Sequence, residues 1–426
     1  MSEVAENQGV DHSLLDAGGD HDAMDNLRPL PRISIQAFCE SDSLMQTISA
    51  MADDRRLARV HMRTITGGLE KACTMYASSP TPNLIILENA LSGDELLNQL
   101  AELADVCDPT TKVIIIGYDN DVFLYRELIR RGISEYLVGP VSIADIIHVV
   151  STIFVDPDAE PLGRTIAFIG AKGGVGASTV AHNCAWGISS LFETEVILAD
   201  LDLAFGTANI NFDQDPPQGI AEAVFAPERL DDVFLERLLS KCASHLSMLA
   251  APSMLDRTYD FSGSTFEPVL EIVQRTAPVA VLDVPHMWTN WTKAVLAEVD
   301  DVVVVATPDL PNLRNTKNLI DTLDKLRPND RGPRLVLNQV GVPKRPEISV
   351  ADFCEPLEID ATAIIPFDAQ LFGTASNSGQ MIAETDAKAP IAETFSQLAH
   401  VLTGRAEVKA QKKSGLTGLR SLLARK

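Results

Sequence analysis

The chain has no two cysteines close enough to share a metal or a redox motif. Cys39, Cys73, Cys107, Cys184, Cys242 and Cys354 are scattered, with no CxxC pair. That excludes the common zinc spacings and a disulfide framework, and it fits the reduced, mostly buried thiols of a cytosolic protein. Basic charge is scarce as well. Against 59 Asp and Glu stand 35 Lys and Arg, for a net charge of −24. An acidic body repels phosphate backbones and anionic membrane leaflets, so nucleic acid is not expected as a partner. Long apolar runs are missing too. The longest stretches resemble Ile146 to Val155, well short of the ~20 residues that cross a bilayer. The start of the chain is acidic and polar, unlike a secretory signal. Aromatic residues make up only 5%, so the cores are expected to be aliphatic, as in sheets covered on both faces by helices.

What the chain does have is length and aliphatic content. Its 426 residues are 46% apolar, enough for two or three domains at roughly 100–200 residues each. Residues 1–29 hold seven acids and one base, Arg28. This composition reads as a disordered acidic tail, either a solvated leader or a partner-binding segment. From Ile33, short aliphatic runs alternate with amphipathic stretches: Ile33–Cys39, Ser43–Arg55, Asn83–Leu87, Asp94–Leu103, Lys112–Gly117, Asp121–Arg130, Glu135–Val138 and Ser142–Ile153. Strand–helix alternation of this kind predicts an α/β domain over 30–155 with a parallel, flavodoxin-like sheet. Residues 156–163, with two prolines, read as a linker. A longer alternation over 164–404 predicts a larger doubly wound parallel sheet. Its strand candidates are Thr165–Ile169, Glu195–Ala199, Leu246–Ala250, Val279–Leu282, Asp301–Ala306, Arg334–Leu337 and Thr362–Ile365. The remainder, 405–426, is a basic tail.

The strongest chemical signal lies at the start of the second domain. Thr165–Ile169 reads as a strand, Gly170–Gly176 as a glycine-rich turn, and Ser178 as the start of a helix. The turn residues Lys172, Gly173, Gly174, Val175, Gly176, Ala177, Ser178 and Thr179 form a phosphate-binding loop. Its glycines let backbone N–H groups approach phosphate oxygens, and the helix N-terminus adds partial positive charge. The Ser178 hydroxyl stands where such loops hold Mg²⁺. One position departs from the ordinary pattern: Ala177 occupies the place of the lysine that meets the β- and γ-phosphates. The loop's one lysine, Lys172, stands at its start. ATP and Mg²⁺ are the expected ligands, with hydrolysis in doubt.

Supporting acids follow. Val196–Asp200 is a strand that leads to two carboxylates, Asp200 and Asp202, and Val279–Asp283 has the hhhhD form of a Walker B strand. In open α/β sheets ligands sit at the carboxyl ends of the strands. There Asp283 could hold Mg²⁺ through water, with Asp200 beside it, and Asp200 or Asp202 could orient an attacking water. Asn338 closes Leu335–Asn338 and could hydrogen-bond a purine or simply end a strand.

These residues resemble the MinD/ParA ATPases of deviant Walker A type. The wider set Gly170–Asn183, Asn338-Gln-Val, Pro343–Glu347, Ile365–Asp368 and Asn377–Met381 resembles, more narrowly, the CpaE/TadZ pilus-assembly proteins, which also carry a receiver-like front domain. The resemblance implies an ATP-binding homodimer that sandwiches nucleotide. In it Lys172 reaches the partner's phosphates, Asp202 is a switch carboxylate linked to hydrolysis, and Asn338 contacts adenine. It also implies a localisation and assembly role at pilus or secretion machinery of the inner membrane, in the cytoplasm or at the cell pole. Ala177 departs from the hydrolytically active pattern, which implies nucleotide used for assembly rather than rapid turnover.

The front domain lacks receiver chemistry. Glu88 stands where a receiver has its phosphorylated aspartate, Gly117 where it has Ser or Thr, and Gly139-Pro140 where the lysine belongs; Cys39-Glu40-Ser41-Asp42 follows the first strand. It reads as a degenerate receiver, either a docking or dimerisation module or a covering domain. Residues 409–426 carry six bases and no acid, with Leu416, Leu419, Leu422 and Leu423 on one helical face. This segment could make weak membrane contact, dock on a partner, or simply be solvated. A DNA-partition or cell-positioning ATPase remains the alternative function; the acidic body and Ala177 argue against it.

Overall fold

A computed structural model describes residues 30–91, 93–154, 162–252, 254–255 and 258–405. The acidic segment 1–29, most of the linker and the basic stretch 409–426 lie outside the described residues. In the front domain β1 (Ser34–Cys39), β2 (His61–Thr66), β3 (Leu84–Glu88), β4 (Lys112–Gly117) and β5 (Glu135–Val138) form one parallel sheet in the order β2-β1-β3-β4-β5. The central β3 and β4 are apolar runs with both faces covered, as parallel strands require. The edge strand β2, His-Met-Arg-Thr-Ile-Thr, is half polar and partly exposed, which is why no apolar run marks it in the sequence.

The second sheet has eight strands: β6 (Arg164–Gly170), β7 (Val196–Asp200), β8 (Ser240–Ala243), β9 (Leu246–Leu249), β10 (Val279–Val284), β11 (Asp301–Ala306), β12 (Arg334–Val340) and β13 (Ala361–Pro366). Their order is β13-β12-β11-β6-β10-β7-β9-β8, and only β8 runs antiparallel, against β9 at the edge. Two aliphatic layers cover the faces. One packs Val269, Ile272 and Val295 under the sheet; the other packs Val180, Cys184 and Ile188 against Phe395 and Leu398. The wrap places β6 between β10 and β11. The chain leaves β6 toward β7 on one side and the adjacent β11 toward β12 on the other, which opens a crevice at the carboxyl ends of these two strands.

Sequence and structure differ at several boundaries. The amphipathic stretch expected as a helix over Ser43–Arg55 is a helix only over Asp42–Met51. A separate short turn, Arg55–Leu57, follows, capped by Asp54, whose side chain accepts from Arg56 N. The break turns Arg55 and Arg56 toward the second domain. Arg55 pairs with Asp300 and Asp330 at 2.9 Å each, and Arg56 with Asp54 at 3.1 Å and Asp330 at 2.8 Å. Asn338 lies inside β12, which continues to Val340, rather than at a strand end. The helix after the phosphate loop begins at Ala177, one residue before the expected Ser178.

Candidate functional site

Strand β6 ends in Gly170, and the chain then folds over its own end before entering the helix Ala177–Phe192. Gly174 and Gly176 adopt φ of +82° and +84°, a left-handed conformation that costs side-chain-bearing residues about 1–2 kcal/mol. The outer rim is open: a Cβ at Gly173 or Gly174 would meet nothing within 4 Å. The inner rim is closed, because a Cβ at Gly176 would stand 2.5 Å from Asn338 Nδ2.

Four side chains from other elements hold the loop's carbonyls. Asn338 Nδ2 donates to Val175 O at 2.8 Å, Gln339 Nε2 to Gly174 O at 3.1 Å and Asn315 Nδ2 to Ala171 O at 2.9 Å. His286 Nδ1 lies 2.7 Å from Gly170 O; a carbonyl only accepts, so Nδ1 carries the proton and donates. With carbonyls tied back at Gly170, Ala171, Gly174 and Val175, the loop is set in one conformation before any ligand arrives. Preorganisation of this kind lowers the ordering cost of binding. Ser178 and Thr179 are half-buried in the first turn of the helix, and Lys172 is exposed at the loop's entry. Nothing in the sequence marks Asn315, Gln339 or His286 as braces, since each is a common polar residue several elements away.

The acids converge from two adjacent strands. Asp283 and Asp200 are paired neighbours across β10 and β7, and both are buried. Asp200 Oδ1 accepts from Asp202 N and Oδ2 from Ala208 N, each at 3.1 Å. Burial and then Asp283 push the Asp200 carboxyl up to about 7, against the pull of His182 and those two amides. Asp202 is half-buried, accepts from Phe205 N at 3.0 Å, and is raised chiefly by burial and then by Asp283. His182 lies one helical turn beyond Ser178 and is fully buried. Asn211 Nδ2 approaches its Nδ1 at 3.0 Å, so Nδ1 accepts and Nε2–H faces Asp283 Oδ2 at 3.3 Å.

The loop thus fits a nucleotide: an open glycine rim, carbonyls turned away, and a helix N-terminus at its end. For Mg²⁺ the fit is narrower. Among the described residues no group of three His, Cys, Asp or Glu side chains could hold a metal on its own. A hydroxyl and one carboxylate with phosphate oxygens and water suit Mg²⁺, which keeps much of its own shell. Ser178 and Asp283 meet that description, whereas Asp200 has both oxygens engaged by backbone amides. Asn338, expected at a purine, uses its Nδ2 on Val175 O and its Oδ1 on Gln339 N at 2.8 Å. A cleft of about 810 Å³ between the two domains is lined by Arg55, Arg59 and Glu298 and lies away from the loop.

In the front domain the position of a receiver's aspartate is filled and satisfied. Glu88 Oε2 accepts from Glu40 N and Ser41 N at 2.7 Å each, and Oε1 from the Ser41 hydroxyl at 2.6 Å and the Tyr118 hydroxyl. Burial alone would raise Glu88; the hydrogen bonds from Ser41, Tyr118 and the amides hold it below its usual value.

Neither a protein-family model nor a curated protein matches the chain. Solved structures do. A pilus assembly protein CpaE from Caulobacter crescentus CB15 is 43% identical over 30% of this chain and 98% of its own, with a TM-score of 0.30. A putative CpaE2 pilus assembly protein from Sinorhizobium meliloti 1021 is 37% identical over 28% of this chain and 96% of its own, with a TM-score of 0.27. A ParA family ATPase from Chlorobium tepidum TLS is 22% identical over 55% of this chain and 98% of its own, at a TM-score of 0.51. The MinD septum site-determining protein of Pyrococcus horikoshii OT3, solved with Mg-ADP, is 18% identical over 59% of this chain and all of its own, at 0.51. The last two share the fold of the P-loop domain. The first two match the front of the chain over nearly their whole length, and on that match the chain belongs to the CpaE family of pilus assembly proteins.

Proposed function

We propose that this protein is an ATP-binding localisation and assembly factor for pilus biogenesis of the Flp/Tad type. It binds ATP with Mg²⁺, pairs with a second copy across the nucleotide, and turns it over slowly or not at all. The observation that carries this reading is the phosphate loop itself, braced at four carbonyls yet with Ala177 in place of the lysine that offsets developing phosphoryl charge. Ser178 and Asp283 hold Mg²⁺, with Asp200 behind them fixing the turn after β7. Asp202 and Lys172 are the residues on which any turnover depends. The exposed Phe205, Met287, Trp288 and Leu310 follow the carboxyl ends of β7, β10 and β11, the same end of the sheet as the loop, and suit burial against a second copy. The satisfied Glu88 supports a front domain used for docking rather than phosphotransfer.

Nucleotide affinity and turnover of the purified protein, measured beside an Ala177→Lys variant, test the reading. Tight ATP binding with turnover below roughly 1 s⁻¹, the low end for enzymes, and faster turnover in the variant are the expected results. A protein that binds no nucleotide refutes it. In sedimentation, nucleotide should favour dimers. Liposome flotation with a chain ending at Gly404 tests whether 409–426 contributes peripheral membrane contact at the inner membrane or cell pole; equal flotation of the shortened chain removes the tail from the mechanism.

A further inference from the structure

The lysine missing at position 177 leaves a charge problem that the surrounding residues are placed to answer. An ATP γ-phosphate brings negative charge toward Asp283 and Asp200, both buried. The loop's own lysine, Lys172, is exposed at its entry. One other group with cationic capacity is tied directly to the loop. His286 stands three residues beyond Asp283, past the end of β10, and is exposed. Its Nδ1–H is fixed on Gly170 O at 2.7 Å, so the ring is held at the base of the loop on the side from which Asp283 emerges. With Nδ1 committed to a carbonyl, the ring's other nitrogen, Nε2, is left for a ligand.

We propose that His286 takes over the terminal-phosphate contact that Ala177 relinquishes, making it the residue that distinguishes ATP from ADP in this site. The contact needs hydrogen on both ring nitrogens: Nδ1–H serves Gly170 O and Nε2–H a γ-phosphate oxygen. The imidazolium supplies the positive charge, and the bond to Gly170 O supplies the orientation that a long lysine gains from its place in the loop. A charge-assisted contact of this kind is among the stronger hydrogen bonds. The inference rests on the proposed nucleotide site and adds to it which side chain reads the third phosphate.

Substitution can separate the two nitrogens. Asparagine at 286 places an amide N–H near the position of Nδ1, so it can keep the bond to Gly170 O while presenting nothing at Nε2. The experiment titrates full-length protein with Mg²⁺-ADP and with Mg²⁺-AMPPNP, a non-hydrolysable ATP analogue, by calorimetry. Three proteins are compared: the wild type, His286→Asn, and His286→Asn combined with Ala177→Lys. The expected result is unchanged ADP affinity in His286→Asn, AMPPNP affinity lowered roughly tenfold or more, and recovery of AMPPNP affinity in the double variant. Recovery by a lysine at the ordinary position would not follow if His286 only shaped the loop. Unchanged AMPPNP affinity in His286→Asn overturns the inference while leaving the nucleotide site standing. Equal loss of both nucleotides without rescue also overturns it, reducing His286 to a strut. A wild type that binds neither nucleotide overturns the proposed function, and the inference with it.

Discussion

Replacing Gly176 with alanine adds one carbon at the most constrained point of the loop. Gly176 has φ of +84°, where a Cβ costs about 1–2 kcal/mol. That carbon would lie 2.5 Å from Asn338 Nδ2, inside any non-bonded contact. Asn338 is 5% exposed, so its side chain has no solvent to swing into. Either the loop moves or the bond from Asn338 to Val175 O breaks. Leaving a buried polar group unpaired adds about 1–3 kcal/mol. Together the two terms come to about 2–5 kcal/mol, or a fall of roughly 5–15 °C in melting temperature for a domain of this size.

All three tryptophans, Trp186, Trp288 and Trp291, belong to the P-loop domain, so their fluorescence follows its melting without a signal from the front domain. A double-mutant cycle isolates the contact. Asn338→Ala removes the brace, and in that background Gly176→Ala should cost only the backbone term. The expected coupling is about 1–3 kcal/mol. Nucleotide binding should be lost in Gly176→Ala even where the domain stays folded. Additivity of the two substitutions to within about 0.5 kcal/mol, or undiminished nucleotide binding by folded Gly176→Ala, would refute the braced-loop argument.

Arg55→Ala leaves Asp300 and Asp330 without one partner at the domain boundary; breaking a buried pair costs about 3–5 kcal/mol, so the two domains should separate in solution scattering, and an unchanged scattering profile would contradict this. Glu298, between the domains, has its carboxyl pushed up to about 7 by burial and then by Glu267, against Arg59 and Arg55. Its folded form holds a proton that the unfolded chain releases near the ordinary glutamate value, so its contribution is full below that value and is lost as pH rises toward about 7. Glu298→Gln should flatten this part of the stability–pH curve, and a curve of unchanged slope would remove Glu298 from it. Incubation with acetyl phosphate should leave the front domain unmodified, because Glu88 is buried and already accepts four hydrogen bonds; a labile phosphate found there by mass spectrometry would contradict the reading.

How far the sequence could be read follows from how each feature is encoded. The phosphate loop was legible because its chemistry is local: a strand, glycines able to take positive φ, and a hydroxyl at a helix start all fall between Arg164 and Ser178. The central strands were legible for a similar reason, since Leu84–Leu87 or Val302–Val305 must be apolar on both faces. Edge strands obey no such demand. Thus β2 and β8, half polar in their sequences, left no run to find. The braces were hidden for another reason. His286, Asn315, Asn338 and Gln339 come from three separate crossings of the sheet, and only the strand order β12-β11-β6-β10 gathers them around one turn. Asn338 shows the consequence most directly. Read along the chain, it is a polar residue near the end of an apolar run, available to a purine. Folded, its amide donates to Val175 O, its carbonyl accepts from Gln339 N, and its Nδ2 occupies the space a Cβ at Gly176 would need. For it to reach a base, the loop's inner rim would first have to release it, so adenine recognition at this position would require the loop to change shape as nucleotide binds.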